Sequence, residues 1–407
     1  MASSRSQPKR KKPPSQNPIE VAITAWIHSS PLVQHSQVRL EELVAQAPRR
    51  WTVYEPMVLL PAGSFNTSLW VELLSSFSAE HAHALWVQVL AEISKRTGGT
   101  QLTHLAVNEG IPAAVHQSTT EKRKHNVEEG CQVHENILRS PTGLRILYGD
   151  FGPASEDEKG PDFARAFWVS TRQNGVFQTW APRWTMFSRG NIKEKARLLD
   201  FRGRHLESGV RPENAWAVDL YAGIGYFTFS YAKLGMRVLC WELNPWSVEG
   251  LRRGAEGNGW SVRVVKDETG LTLPMEEILR GGERIIVFLE DNRRALRRIQ
   301  ELGECDMKIL HVNCGLLPTS DASWEDAWEI AAQSKGEEAW LHLHENVGEA
   351  DIERRREEIE RYFLDLARRS GNGEAARVEH TELVKTFAPG VWHCVFDLYI
   401  KRTSSIT

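Results

Sequence analysis

From about residue 206 to the C-terminus the chain alternates short apolar runs with helical stretches, and this alternation constrains the fold more than any other feature. Runs at 216–220, 237–241, 284–289, 308–312 and 338–342 are strand-length, and stretches at 226–234, 245–253 and 351–369 carry helical spacing. Strands that alternate with helices predict βαβ units on a mostly parallel sheet. The end of the chain departs from this grammar. Residues 382–387 and 391–400 flank Ala388-Pro-Gly and read as a closing antiparallel hairpin. Upstream, residues 19–205 mix helical segments (68–74, 79–93) with strand runs (51–60, 144–148, 166–171, 176–180), the last two joined by Asn174-Gly175. Asn-Gly between two such runs predicts a tight hairpin turn. The chain is therefore expected to hold an N-terminal α+β domain (19–205) and an α/β domain (206–407).

Residues 1–18 contain no aliphatic side chain of any size and five basic ones, so they are expected to be a disordered basic tail. Its PKRKKP run reads either as a nuclear address or as a solubilising arm. No apolar run approaches the ~18 residues of a membrane span, and no apolar signal segment follows the basic start. The expected location is the cytoplasm, with the nucleus as the alternative the tail allows. Five cysteines (Cys131, Cys240, Cys305, Cys314, Cys394) form no CxxC pair. That argues against a disulfide framework, a cysteine zinc site and a radical iron–sulfur centre.

The densest chemical signal is Val218-Asp-Leu-Tyr-Ala-Gly-Ile-Gly-Tyr-Phe-Thr228, a buried strand that enters a helix through a loop with glycines at 223 and 225. Glycines allow close backbone approach to a ligand, and the helix start offers free N–H groups. Seventeen residues past Gly225 stands Glu242, placed to accept from the ribose hydroxyls of an adenosine-bearing molecule. Thr228 occupies the place of the third glycine of GxGxxG, and Asp219 adds a second acid. Both details favour S-adenosylmethionine (SAM) over a nicotinamide dinucleotide.

Asp219-Leu-Tyr-Ala-Gly-Ile-Gly-Tyr-Phe-Thr with Trp241-Glu-Leu-Asn-Pro resembles a SAM-dependent group that acts on the tRNA anticodon loop. That group holds the tRNA guanine-37 N1-methyltransferases and the tRNA wybutosine-synthesizing protein 2 aminocarboxypropyltransferases. Met186-Phe-Ser-Arg-Gly-Asn-Ile-Lys-Glu-Lys-Ala-Arg, Asp291-Asn-Arg, Leu341-His-Leu-His-Glu-Asn and Phe387-Ala-Pro-Gly-Val-Trp-His extend the resemblance over roughly residues 51–401. The methyltransferases carry an Asn/Asp-Pro-Pro-like element after the fourth strand. Here Asn313-Cys-Gly-Leu-Leu-Pro318 contains no acid and looks like the second family.

The resemblance implies a class I SAM-dependent (Rossmann-like) methyltransferase fold with an N-terminal α+β tRNA-binding domain. It implies transfer of the 3-amino-3-carboxypropyl group from SAM to 4-demethylwyosine-37 of tRNA-Phe, with release of methylthioadenosine. Guanine-37 N1 methylation is the alternative, and a tRNA-binding pseudoenzyme a more distant one. It further implies that Ser188 and Lys195 contact SAM, that Glu242 holds the ribose, and that Asp291 with Asn292 brackets the adenine. Lys193-Glu-Lys195 alone reads as a solvated helix face, and the flanking match reverses that reading. Asp219, Gly223 and Gly225 complete the expected cofactor set. Trp180, Arg183, Asn313 and Pro318 are the expected substrate contacts, with no catalytic base assigned and a monomer expected.

About twenty extra residues near 262–282 precede the third strand of the family pattern, so Asp267 competes with Asp291 as the strand-end acid. Asp291 is favoured because Asn292-Arg293 follows it. His342 and His344 alternate on one strand face and suggest a metal pair, but no third ligand is evident, so no metal is expected. Cys314 reads as small apolar filler. Most of the 15 tryptophans are expected in cores, with Trp180 and Trp184 as candidates to meet a splayed base. Basic clusters at 122–124, 293–294, 297–298 and 354–356 are candidate phosphate contacts, the last better explained as a salt-bridged helix face. The formal charge is −3, and with the tail set aside 45 basic and 53 acidic residues leave −8. Such a body suits one shaped RNA at one patch and disfavours bulk nucleic acid.

Overall fold

The computed structural model describes residues 16–29, 39–109, 114–118, 131–136, 138, 141, 143–156, 160–201, 212–303, 307–371 and 374–402. The basic tail through residue 15, the 122–124 cluster, Cys305 and the expected domain boundary at 205–206 lie outside them.

Two compact units emerge, residues 1–136 with 141–154, and 137–140 with 155–407. The division thus falls near residue 154, fifty residues before the expected one. The reason is the hairpin β7 (Val169–Gln173)–β8 (Val176–Trp180) and the helix α5 (Ile192–Leu199), which pack mainly against elements of the second unit. Asn258 holds β8 by donating to Phe177 O and accepting from Phe177 N, both at 2.8 Å. The hairpin turn has Asn174 and Gly175 at positive φ, as an Asn-Gly primed turn requires.

The first unit runs α1 (Pro18–Ser29), α2 (Leu40–Ala45), β1 (Thr52–Tyr54), β2 (Met57–Leu60), α3 (Ser68–Ser75), α4 (Ala79–Ser94), β3 (His104–Asn108), β4 (Ala114–Ser118), β5 (Cys131–Glu135) and β6 (Leu144–Tyr148). Its sheet has the order β1-β2-β3-β6, while β4 and β5 pair separately. Trp26, Trp70, Trp86 and Phe65 fill the core, consistent with the packing role expected for most tryptophans.

The second unit continues β9 (Trp216–Asp219), α6 (Thr228–Lys233), β10 (Arg237–Glu242), α7 (Pro245–Gly257), β11 (Val262–Val265), α8 (Asp267–Leu271), α9 (Met275–Leu279), β12 (Ile285–Leu289), α10 (Ala295–Gln300), β13 (Ile309–Cys314), α11 (Trp324–Ala332), β14 (Glu338–Gly348), α12 (Ile352–Ser370), β15 (Ala375–Ala388) and β16 (Val391–Lys401). Its eight-stranded sheet has the order β11-β12-β10-β9-β13-β14-β16-β15. Strands β9 to β14 are parallel, and β16 is antiparallel to both β14 and β15. The residues near 262–282 supply β11 as an additional edge strand with α8 and α9. Two arginines anchor them: Arg298, buried against Glu290, donates to Leu271 O at 3.0 Å, and Arg237 donates to Leu279 O at 3.2 Å. Arg298 is thereby withdrawn from the phosphate contacts expected of the 297–298 cluster. Of the 354–356 cluster, Arg354 and Arg356 pair with acids on or beside their own helix, while Arg355 also reaches the buried Glu345 at 3.2 Å.

Candidate functional site

The strand order reverses between β9 and β13, where chains leave in opposite directions and open a crevice at the carboxyl ends. Asp219 at the end of β9 and Asn313, one residue before the end of β13, are register partners. Asp219 is fully buried. Its Oδ1 accepts from Tyr221 N at 3.3 Å and Asn313 Nδ2 at 3.0 Å, and its Oδ2 from Thr228 N at 3.1 Å and Thr228 Oγ1 at 2.8 Å. Burial pushes this carboxyl above the ordinary range, and the donors oppose that push. With four donors its acceptor sites are occupied. Asp219, expected among the cofactor contacts, therefore shapes the loop from beneath. Thr228, which stands in place of a third glycine, supplies Asp219 with both a backbone and a hydroxyl donor.

The loop between β9 and α6 turns at Gly223 (φ 54°) and Gly225 (φ 88°). A Cβ at Gly223 would stand 2.8 Å from the Tyr226 ring, and one at Gly225 2.6 Å from Phe229, so both positions exclude side chains. At the end of β10, half-buried Glu242 accepts from Gly223 N and Asn244 N, each at 2.8 Å. Burial raises its pKa against these backbone donors. Asn244 caps α7 by accepting from Trp246 N, with Pro245 at the first helical position. The Asn-Pro pair after Glu242 is thus a local device that aims the carboxylate.

On β12's far end Asp291 accepts from Arg293 N at 2.9 Å and pairs with the exposed Arg293 guanidinium, which holds its carboxyl below the ordinary range. Asn292 Nδ2 donates to Leu220 O at 2.9 Å and ties this turn to the glycine loop. Because β12 adjoins β10, Asp291 ends the strand beside Glu242's, whereas Asp267 ends the next strand out.

The 186–191 segment lies over the loop. Tyr226 OH donates to Met186 O and accepts from Ser188 N at 3.2 Å. Lys195 Nζ, buried, donates to Gln173 Oε1 and Gln178 Oε1, both at 2.7 Å, and stands over the Phe187 and Tyr226 rings. Burial alone brings its ammonium down to about 7. Trp180, expected to meet a splayed base, is 2% exposed and lies parallel to Phe187 at 4.4 Å. Its face is already covered, which makes it a packing residue. Trp184 likewise stacks on Trp246 at 4.8 Å. Arg183 is half-buried, with Nε unpartnered among the described residues. Asn313, beyond its bond to Asp219, keeps a buried Oδ1 with no partner among the described residues. Pro318 O accepts from Asn346 N at 2.7 Å, and Glu345 secures the same turn through Thr319 Oγ1 at 2.6 Å.

A buried polar seam runs along the same sheet face. His311 Nδ1 and His342 Nε2 share a hydrogen bond at 3.0 Å, and His342 Nδ1 meets Asp397 at 2.7 Å. Arg197 bridges Asp397 and Glu194. His344 Nδ1 and His393 Nε2 share a second bond at 2.9 Å. His342 and His344, considered as a metal pair, are engaged with these partners, and no group of three or more candidate metal ligands occurs among the described residues. Nor is any described helix long and apolar enough to cross a membrane.

The sheet order, the antiparallel closing hairpin, the glycine loop and the strand-end carboxylate define a class I, Rossmann-like SAM-dependent methyltransferase fold. No model of a known protein family matches the chain. It is 38% identical over 368 residues to tRNA wybutosine-synthesizing protein 2 of Schizosaccharomyces pombe, covering 90% of this chain and 75% of that protein. With the Saccharomyces cerevisiae protein of that name it shares 31% identity, over 89% and 76% of the two chains. The chain belongs to the tRNA wybutosine-synthesizing protein 2 family. Among solved structures, Pyrococcus horikoshii TYW2 in complex with MeSAdo matches with a TM-score of 0.54 at 17% identity, over 94% of this chain and all of that one. Trm5b from Pyrococcus abyssi matches at 0.50 and 14%, over 90% and 80%. These two likenesses speak for the fold.

Proposed function

We propose that the protein transfers the 3-amino-3-carboxypropyl group of SAM to 4-demethylwyosine at position 37 of tRNA-Phe and releases methylthioadenosine. The observation that carries the reading is 38% identity to a wybutosine-synthesizing protein along 90% of the chain. We assign tRNA holding in part to the 19–205 region, and the chain acts as a monomer on the anticodon loop in the cytoplasm.

The residues present fit SAM. Gly223 and Gly225, both at positive φ, give the loop a turn closed to side chains, Glu242 has acceptor capacity beyond its backbone donors, and Asn313 Oδ1 is a buried acceptor with no partner among the described residues. When bound, SAM supplies a sulfonium whose three attached carbons are all electrophilic. The protein's part is to select among them by orientation. Glu242 holds the ribose side, and Asp291 and Asn292 flank the base at the end of β12. Asn313 and Lys195 are assigned to the amino-acid end, an acceptor for an ammonium and a donor for a carboxylate. Asp219 keeps the loop in place through its four donors. The turn 313–318 brings no carboxylate toward the acceptor base. Selectivity thus rests on aim more than on general base strength.

Incubation with tRNA-Phe bearing the tricyclic base, using SAM labelled in either the aminocarboxypropyl chain or the methyl group, tests the reading. Label from the first and methylthioadenosine as by-product are expected. Methyl label on the tRNA with S-adenosylhomocysteine would instead make the protein a methyltransferase.

A further inference from the structure

Two lysines flank the 186–191 segment, and neither has a carboxylate partner among the described residues. Lys195 is held by glutamine oxygens on the inner side. Lys385, on β15, lies on the other side and donates from Nζ to Ser188 Oγ at 3.1 Å. Half-burial is the cause that lowers its ammonium from the ordinary lysine value, with no acid compensating. Its stem crosses Gly190 so closely that a Cβ there would stand 2.8 Å from Nζ and closer still to Cδ. Glycine at 190 is what leaves the lysine its path, so the ammonium's position is built. Ser188 Oγ, which also bonds Asn191 Oδ1 at 3.2 Å, fixes its end point.

The surroundings indicate what the charge awaits. Lys193, nearby, is already neutralised by Glu382 at 3.1 Å. Phe387 is 60% exposed and Met186 36% exposed, and Arg189 is exposed in the same segment. Cations beside exposed apolar faces suit a nucleotide chain, where phosphate and base alternate. The cofactor crevice, by contrast, lies between β9 and β13, and β15 is the edge strand beyond β13, β14 and β16. Four strand spacings, about 19 Å, separate the β15 backbone from β9, and the Lys385 side chain reaches back from that edge to Ser188 in the segment over the glycine loop.

We propose that Lys385, aimed by Ser188 across Gly190, binds a backbone phosphate of the substrate RNA next to the modified base. The inference rests on the RNA reading above and deepens it. The ammonium is part-desolvated with no counter-ion among the described residues, and a phosphate oxygen supplies one at little further cost in hydration.

The test is the salt dependence of tRNA-Phe binding by the full-length chain, with SAM affinity measured in parallel by calorimetry. Lys385→Ala should weaken RNA binding roughly tenfold or more. It should also lower the slope of log affinity against log salt by about 0.7, the share of one single-strand phosphate. Lys385→Arg should keep the slope, while Gly190→Ala, which keeps the charge and displaces it, should weaken binding at every salt concentration. SAM affinity should be unchanged in Lys385→Ala. Wild-type slope and affinity in Lys385→Ala would overturn the proposal. A loss of SAM affinity with an intact RNA slope would also overturn it, by identifying the cofactor carboxylate as the anion. Wild-type protein that fails to bind tRNA-Phe at all would overturn the RNA reading itself, an outcome visible before any substitution is made.

Discussion

His393 offers the sharpest link between the seam and a measurable quantity. It is 1% exposed, shares its Nε2 with His344, has Lys385 as the neighbouring cation, and faces Asn346 across β14. Burial is the larger cause and the Lys385 charge the smaller, and together they bring its pKa down to about 4. A histidine depressed in the folded state is neutral there and charged in the unfolded chain between the two pKa values. Stability is therefore complete above about pH 6.5 and lost as pH falls toward about 4. Between about pH 7.5 and about pH 5.5 the loss from this one side chain is about 1.4 kcal/mol. His311 and His344, pushed the same way mainly by burial, add loss of the same sign. Buried carboxylates raised by desolvation, Asp219 and Glu194 among them, work in the opposite direction. The isolating measurement is therefore a difference: urea unfolding of wild type and His393→Asn at both pH values. The variant should lose about 1.4 kcal/mol less than wild type over this interval. An equal pH dependence in the two proteins would show that His393 titrates normally when folded, and would refute the argument from burial.

Three further outcomes follow from the same geometry. Glu242→Ala should raise the SAM dissociation constant roughly tenfold or more, read by calorimetry, and leave tRNA-Phe affinity nearly unchanged. Thr228→Val keeps the side-chain volume but removes a donor from buried Asp219. About 1.5–3 kcal/mol of stability should disappear, with weaker SAM binding as the loop loosens, and an unchanged melting curve would count against it. Arg197→Met leaves Asp397 and Glu194 buried without their shared cation, so destabilisation of about 3–5 kcal/mol is expected in urea titrations. A neutral effect would mean that the two acids are protonated in the native state.

What could be read from the sequence was local. The glycine loop, the strand-end glutamate and the Asn-Gly hairpin each depend on neighbours within a few residues, and the structure has them. Asp219 and Asn313 are 94 residues apart, and only the pairing of β9 with β13 brings them into contact. For the same reason the four donors around Asp219 could not be foreseen from the residues beside it. Trp180 looked available for stacking because a tryptophan beside an arginine says nothing of Phe187 lying across its face. The extra residues near 262–282 were visible as length, but their becoming an edge strand depends on β12, and their attachment on Arg237 and Arg298, outside that stretch. Of the four histidines on three strands, His342 and His344 showed in the sequence as an alternating pair, but their partners His311, Asp397 and His393 come from other strands.

The seam also bears on how β14 and β16 find each other. Their eleven-residue antiparallel pairing sets His342 opposite Asp397 and Asn346 opposite His393. Apolar side chains accept many neighbours, so two long strands of Val, Leu and Phe would tolerate sliding. A one-residue slip here would turn imidazoles and a carboxylate onto the apolar face of the sheet. A two-residue slip would keep the faces but carry Asp397 away from both His342 and Arg197. The hydrogen-bonded histidines thus act as teeth in a ratchet, admitting one alignment of the last strand and rejecting its neighbours.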